Sequence, residues 1–265
     1  MNPVRPLAAS LREMRWGQVV VEFALLITGI LVALAVDGWM DDRRDARLER
    51  AYLERLERDL AQSMDILDAF VTFERQQTAD GVLAYRGLRG APGIEREQVA
   101  VALGHLTSRR TLRLLGATYR DLLSTGNLRL IRNQELRDAI VRLYEEAERT
   151  TAVVDRNNQV LVDQAFGLPL LDSGLVAPRF SSNIPAIREQ LQSLQARIGL
   201  PPDPAADRLW QLPADAPEYT RLASRVLRRT IVSTTTLSQV EALQEQFRTV
   251  REAVVVELAR DRGGA

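Results

Sequence analysis

The chain has no cysteine, no lysine among its 35 basic residues, and a single histidine, His105. Without cysteine there is no thiol nucleophile, no disulfide, no thiolate-bound zinc and no lipidated cysteine. Without lysine there is no Schiff base, no phosphate-loop lysine and no kinase-type lysine–glutamate pair. One histidine cannot build a histidine zinc site, and no second base lies near it in sequence. A carboxylate-only site for magnesium or calcium is what this inventory leaves for metals. Asp41, Asp42 and Asp45 lack loop glycines at the needed spacing and are better explained as a solvated helical stretch. The 35 basic residues, all arginine, are balanced by 35 acidic ones. That balance gives no case for nucleic acid as a partner.

Against this scarcity stands one long apolar run. Val19 to Val36 is interrupted only by Glu22 and softened by Thr28 and Gly29, with Trp16 before it and Trp39 after it. Those 24 positions make a helix of roughly 35 Å, enough for a hydrocarbon core and its interfaces. Trp16 and Trp39 are the expected interfacial anchors, since indole prefers the headgroup level. Ala33-Leu34-Ala35 matches a small-x-small cleavage pattern, but the run exceeds a usual signal-peptide core, so a retained anchor is expected. No second apolar span occurs. Arg5, Arg12 and Arg15 precede the run, while Arg43, Arg44, Arg47 and Arg50 follow it, so counting basic residues assigns no side. The cost of moving a short arginine-bearing tail across favours that tail inside and the large domain outside, periplasmic or extracellular. Glu22, Gly29 and Ala33 share one helical face. A carboxyl beside a small-x-x-x-small pair suits a packing seam between transmembrane helices. A shallow Glu22 reaching water is the competing reading.

Behind the run the pattern is helical. Leu53, Leu60 and Leu67 repeat at seven, with Leu56 and Phe70 in the intermediate seam, predicting a helix from about 41 to the mid-80s that continues from the span. Gly87, Gly90, Pro92 and Gly93 end it. Short helices are expected over about 95–107 and 112–123, the latter stopped by Ser124-Thr125-Gly126-Asn127. Asn133 is placed to cap a long helix reaching about Phe166. Residues 167–185 are rich in turn formers and suggest a loop, followed by a helix over about 186–198. Five prolines between 201 and 217 mark a second connection, with Trp210 tucked onto the core. A final helix starts near Glu218, and Ser233-Thr234-Thr235-Thr236 is its point of weakest propensity.

Two polar features compete for a functional reading. Arg109, Arg110, Arg113, Arg129 and Arg132, with Arg120 between, form a possible anion-binding patch. The simpler account is pairing with Glu135, Asp138, Glu145, Glu146 and Glu148 on the next helix. His105 titrates near neutrality and could sense pH, but an ordinary partly buried histidine is the simpler account.

Two segments together carry a family likeness. The first runs from Val21-Glu22-Phe23 through Leu31-Val32-Ala33-Leu34-Ala35-Val36-Asp37-Gly38-Trp39, with Tyr52-Leu53-x-x-Leu56 behind it. The second is Tyr119-Arg120-Asp121-Leu122-Leu123-Ser124-Thr125-Gly126-Asn127-Leu128-Arg129-Leu130-Ile131, continuing through Leu136-Arg137 to Tyr144. They resemble a family of uncharacterised bacterial single-span membrane proteins, grouped as a domain of unknown function. Asp37-Gly38 stands where the family usually has asparagine-like residues. The resemblance covers roughly the first 150 residues and implies a retained anchor and a helical domain, with no catalytic residues to carry over.

The expectation is an all-α chain: a tail over 1–16, a transmembrane helix over 17–39, and a bundle of long and short helices over 40–262, with coiled-coil-like spacing at its start. The expected role is a membrane-anchored interaction or scaffold protein, not an enzyme and without a cofactor. Its expected partners are the membrane and another copy or another membrane protein, in the cell (inner) membrane. A ligand-binding sensor module signalling through a partner is the first alternative. A carboxylate-dependent envelope enzyme is the second.

Overall fold

The computed structural model describes residues 16–177, 185–199 and 206–263. The chain is all-α, and no strand occurs among the described residues. Helix α1 spans Trp16–Leu88, α2 Arg96–Leu106, α3 Ala117–Ser124, α4 Gln134–Asn157, α5 Leu168–Asp172, α6 Pro185–Arg197 and α7 Pro217–Gly263. A 3-10 turn covers Asn127–Leu130, and a π-helical stretch, Asn158–Gly167, continues α4. The chain divides into two compact units between Tyr52 and Leu53.

In the first unit α1 is one uninterrupted helix, long and apolar enough to cross a membrane. Its best 18-residue window has mean hydropathy 2.3, and none of it is buried. The one hydroxyl in the run is already satisfied, because Thr28 Oγ1 donates to the Ala24 carbonyl at 2.8 Å. That removes a donor that hydrocarbon could not serve. The tail over 1–15, with Arg5, Arg12 and Arg15, lies outside the described residues.

In the second unit the seven-residue leucine spacing turns inward. Leu53, Leu56, Leu60, Leu67 and Phe70 are fully buried. Helix α7 returns along this part of α1. Arg251 donates to Glu57 at 2.8 Å, Gln244 to Asp68, and Arg75 to Glu241 at 2.6 Å. Helix α4 packs chiefly on α7. The Asn133 side chain accepts from Leu136 N at 3.2 Å, the expected cap, and donates to Glu257 at 2.7 Å. A second apolar cluster joins Ala84 and Leu88 of α1 to Leu103 and Leu106 of α2, Phe166, Leu170, and Leu222 and Val226 of α7. Trp210 is half-buried against it, as its position suggested.

Three local expectations need correction. The helix expected from Leu112 starts at Ala117, and residues 108–116 are non-helical. Side chains from elsewhere occupy their backbone groups, replacing the helical ladder. Ser63 Oγ accepts from Leu115 N at 3.0 Å, Asn158 donates to the Arg110 carbonyl at 2.9 Å, and Asp59 accepts from Thr118 N at 3.0 Å. The long helix begun at Asn133 widens into π geometry at Asn158, where two successive asparagines are weak α formers. Finally, the expected loop over 167–185 contains α5, and it turns at Gly174 with φ +59°. Residues 178–184 lie outside the described set.

At Gly81 helix α1 comes close to α7. A Cβ there would lie 2.9 Å from both Cβ and Cγ2 of Thr230, and closer still to its Oγ1. Thr230 cannot turn away freely, since its hydroxyl bonds the Val226 carbonyl at 2.8 Å. Gly81→Ala should therefore cost about 1–3 kcal/mol by overpacking. Adding Thr230→Ala should return part of that loss, as coupled neighbours do. Thermal and denaturant unfolding of the full chain in detergent would measure both, and additive effects would reject the crossing.

Candidate functional site

The most constrained polar group in the second unit is Arg229 on α7, 2% exposed. All three of its nitrogens donate. Nε donates to the Leu106 carbonyl at 3.1 Å, Nη1 to Ser233 Oγ, and Nη2 to Gln77 Oε1 at 3.0 Å and the Ser108 carbonyl at 3.4 Å. One group thus ties α1, α7 and the chain leaving α2. Glu74, 4% exposed, supplies the opposite charge and is supported by the Ser233 hydroxyl. Its Oε2 and the Thr78 hydroxyl have no hydrogen-bond partner among the described residues.

Burial dominates the electrostatics of this pair. Desolvation raises the Glu74 carboxyl above its ordinary value, opposed by Arg229 and by Ser233. Desolvation likewise lowers Arg229, opposed by Glu74. A turn or two further along α1, Asp80 accepts from Gln76 at 3.1 Å and meets His105 Nδ1 at 3.2 Å. That hydrogen bond raises the His105 pKa, with desolvation opposing it and the Asp80 charge adding to it. A further buried group, Tyr144, stacks on Tyr119 with ring centroids 4.4 Å apart, and burial pushes its phenol well up.

The residues singled out from sequence are distributed across both units. Glu22 is exposed, and a Cβ at Gly29 would meet nothing within 4 Å. Ala33 is exposed as well, so the expected seam is uncovered by the described residues. Trp39 is 59% exposed. Trp16 opens α1, and its side chain lies outside the described residues. In the arginine patch, Arg109 pairs with Asp163 at 3.0 Å, away from the acids of α4 that the sequence offered. Arg110 donates to the Ala69 carbonyl at 2.9 Å. Arg113, Arg129 and Arg132 are exposed.

Another arginine grouping was missed by sequence spacing. Arg208, Arg221 and Arg225 line a cleft of about 330 Å³ with Ser173, Glu218 and several leucines. Arg221 pairs with Glu218 at 3.6 Å, and Arg225 donates to the Pro169 carbonyl at 3.3 Å. Only the 221–225 helical spacing was visible in advance; Arg208 arrives on the separate 3-10 turn Arg208–Gln211. Among the described residues no group of three or more histidines and acids could hold a metal ion. Comparisons with protein-family models, with curated proteins and with solved structures found no match to this chain.

The Glu74–Arg229 pair generates a pH prediction. A carboxyl whose folded pKa is raised binds its proton more tightly folded than unfolded. Its contribution is therefore most favourable below about pH 4.5 and declines as pH rises through the folded value. Arg229→Met removes the charge that opposes this rise. It should cost about 3–5 kcal/mol near neutrality, with a smaller loss in acid where Glu74 is neutral. Unfolding titrations at several pH values would check it, and a pH-independent loss would contradict the assignment. His105 works in the same direction: its contribution is complete below the ordinary histidine pKa and fades as pH rises through its raised folded value. His105→Gln should flatten stability against pH in that window.

Proposed function

We propose that this chain is a membrane-anchored helical interaction protein, without catalytic activity, that self-associates through the apolar part of α1. The observation that carries this reading is the unburied apolar stretch of α1 within an otherwise polar, helical chain. Such a surface is too large and continuous to remain in water, and lipid or another apolar helix is its natural environment. The uncovered face bearing Glu22, Gly29 and Ala33 suits close approach of a second helix. The resemblance to single-span bacterial membrane proteins points the same way, to a retained anchor with a helical domain behind it, and the cost of moving the short arginine-bearing tail across favours that domain outside. A sensor module that signals through a partner is the second reading, favoured by the cleft where Arg208, Arg221 and Arg225 meet.

Membrane retention is tested by carbonate and high-salt washing, which the full chain should survive. Recovery of a soluble chain starting near Val36 would establish cleavage instead. Self-association is tested by crosslinking in native membranes. Gly29→Leu adds bulk where the chain itself has nothing to clash with, so a loss of crosslinking reports on a neighbouring copy. Glu22→Gln should act mildly, because the amide keeps a hydrogen bond worth about 0.6–2 kcal/mol. Equal crosslinking in wild type and both variants would reject the seam.

A further inference from the structure

Just beyond the apolar run, α1 is charged, and its charges are sorted by face. At about 100° per residue, Arg43, Arg44, Arg47 and Arg50 fall within an arc of about 120° beside Trp39. The exposed Asp41, Asp42 and Asp45, with the buried Glu49, fall within about 100° on the other side of the same helix. The net charge of this stretch is therefore balanced while its two faces are opposite in sign. Arg43 places its guanidinium over the Trp39 ring at 5.1 Å from the centroid. Arg47 Nε donates to the Arg43 carbonyl at 3.3 Å, which lays its side chain back along the same face towards the apolar run. Arg43, Arg44 and Arg47 are exposed and carry no ion pair among the described residues. Their remaining donors are unspent.

We propose that Trp39, Arg43, Arg44 and Arg47 form a docking face for the headgroup phosphates of an anionic lipid surface. This inference rests on the membrane-spanning reading of α1. Guanidinium forks match phosphate oxygens in geometry as well as in charge. Indole belongs at headgroup depth, and a basic residue close to an anionic surface gains from its potential. The acidic face would be repelled by the same phosphates. A helix sorted in this way leaves the bilayer leaning on its basic side, because anchors at the interface set tilt. This face continues the one bearing Glu22, Gly29 and Ala33, so two copies crossing at the small residues have to diverge beyond Ala33, which leaves each arginine face to the headgroups.

The test uses the full chain, extracted in mild detergent and returned to vesicles of phosphatidylcholine alone or mixed equally with phosphatidylglycerol. Trp16→Phe and Trp210→Phe leave Trp39 as the only indole. Its emission should move to the blue and be better shielded from an aqueous quencher in the anionic vesicles. Phospholipid retained by the detergent-purified chain should be enriched in phosphatidylglycerol. Replacing Arg43, Arg44 and Arg47 together by Gln should reduce that enrichment by about fivefold or more. Replacing Asp41, Asp42 and Asp45 by Asn should leave it intact or increase it. Equal enrichment in the arginine variant, or no preference in wild type, would overturn the proposal while the anchor stands. Loss of crosslinking between copies in the arginine variant, with lipid retention unchanged, would overturn it in favour of a protein interface. Release of the chain by carbonate would remove the membrane reading itself, and the two failures are separately visible.

Discussion

The second unit depends on a guanidinium placed where water cannot reach it. Arg229 satisfies its donors with two backbone carbonyls, a glutamine oxygen and a serine hydroxyl, and Glu74 balances its charge nearby. A buried ion pair of this kind costs several kcal/mol per ion in desolvation, and good geometry serves largely to recover that cost. Its contribution is better described as positional. The carbonyls of Leu106 and Ser108 are fixed to α1 and α7 at once, so the chain has one way to leave α2. An apolar pair at the same place could match the volume but would leave those carbonyls without donors.

The non-helical stretch after α2 follows from that anchoring. Its backbone is completed by side chains far away in sequence, Ser63 and Asn158, and Asp59 takes the Thr118 N–H in the first turn of α3. Leu112 and Leu122, both fully buried, are therefore reached by a chain that is irregular first and helical later. Ser63 interrupts a leucine seam and would weaken it as an apolar position. Its 0% exposure is tolerable because Leu115 supplies both a donor and an acceptor to its hydroxyl.

What was legible in the sequence divides along the same line. The helix defined by its own apolar spacing was legible: Leu53, Leu56, Leu60 and Leu67 in α1 are all buried. The Asn133 cap was legible because its bond to Leu136 is local. The start of α3 was not, because periodicity near Leu112 cannot reveal that Arg229 and Asn158 compete for the backbone. The partners of the patch arginines were hidden for a related reason. Nearness in sequence collected Arg109 to Arg132, whereas Arg109 turns to Asp163 and Arg110 to Ala69. The histidine was legible only as a type, since its Asp80 partner lies 25 residues away on another helix.

The exclusive use of arginine has a structural consequence at this core. A lysine at position 229 would bring three donors from one compact point, and its ammonium is more strongly hydrated than a guanidinium. The acceptors around Arg229 are spread across Nε, Nη1 and Nη2, on opposite edges of a planar fork. An ammonium could approach Gln77 and Ser233 or the two carbonyls, but its single nitrogen cannot stand at both edges. At position 229 the geometry itself calls for arginine, because its acceptors stand on both edges of one planar fork.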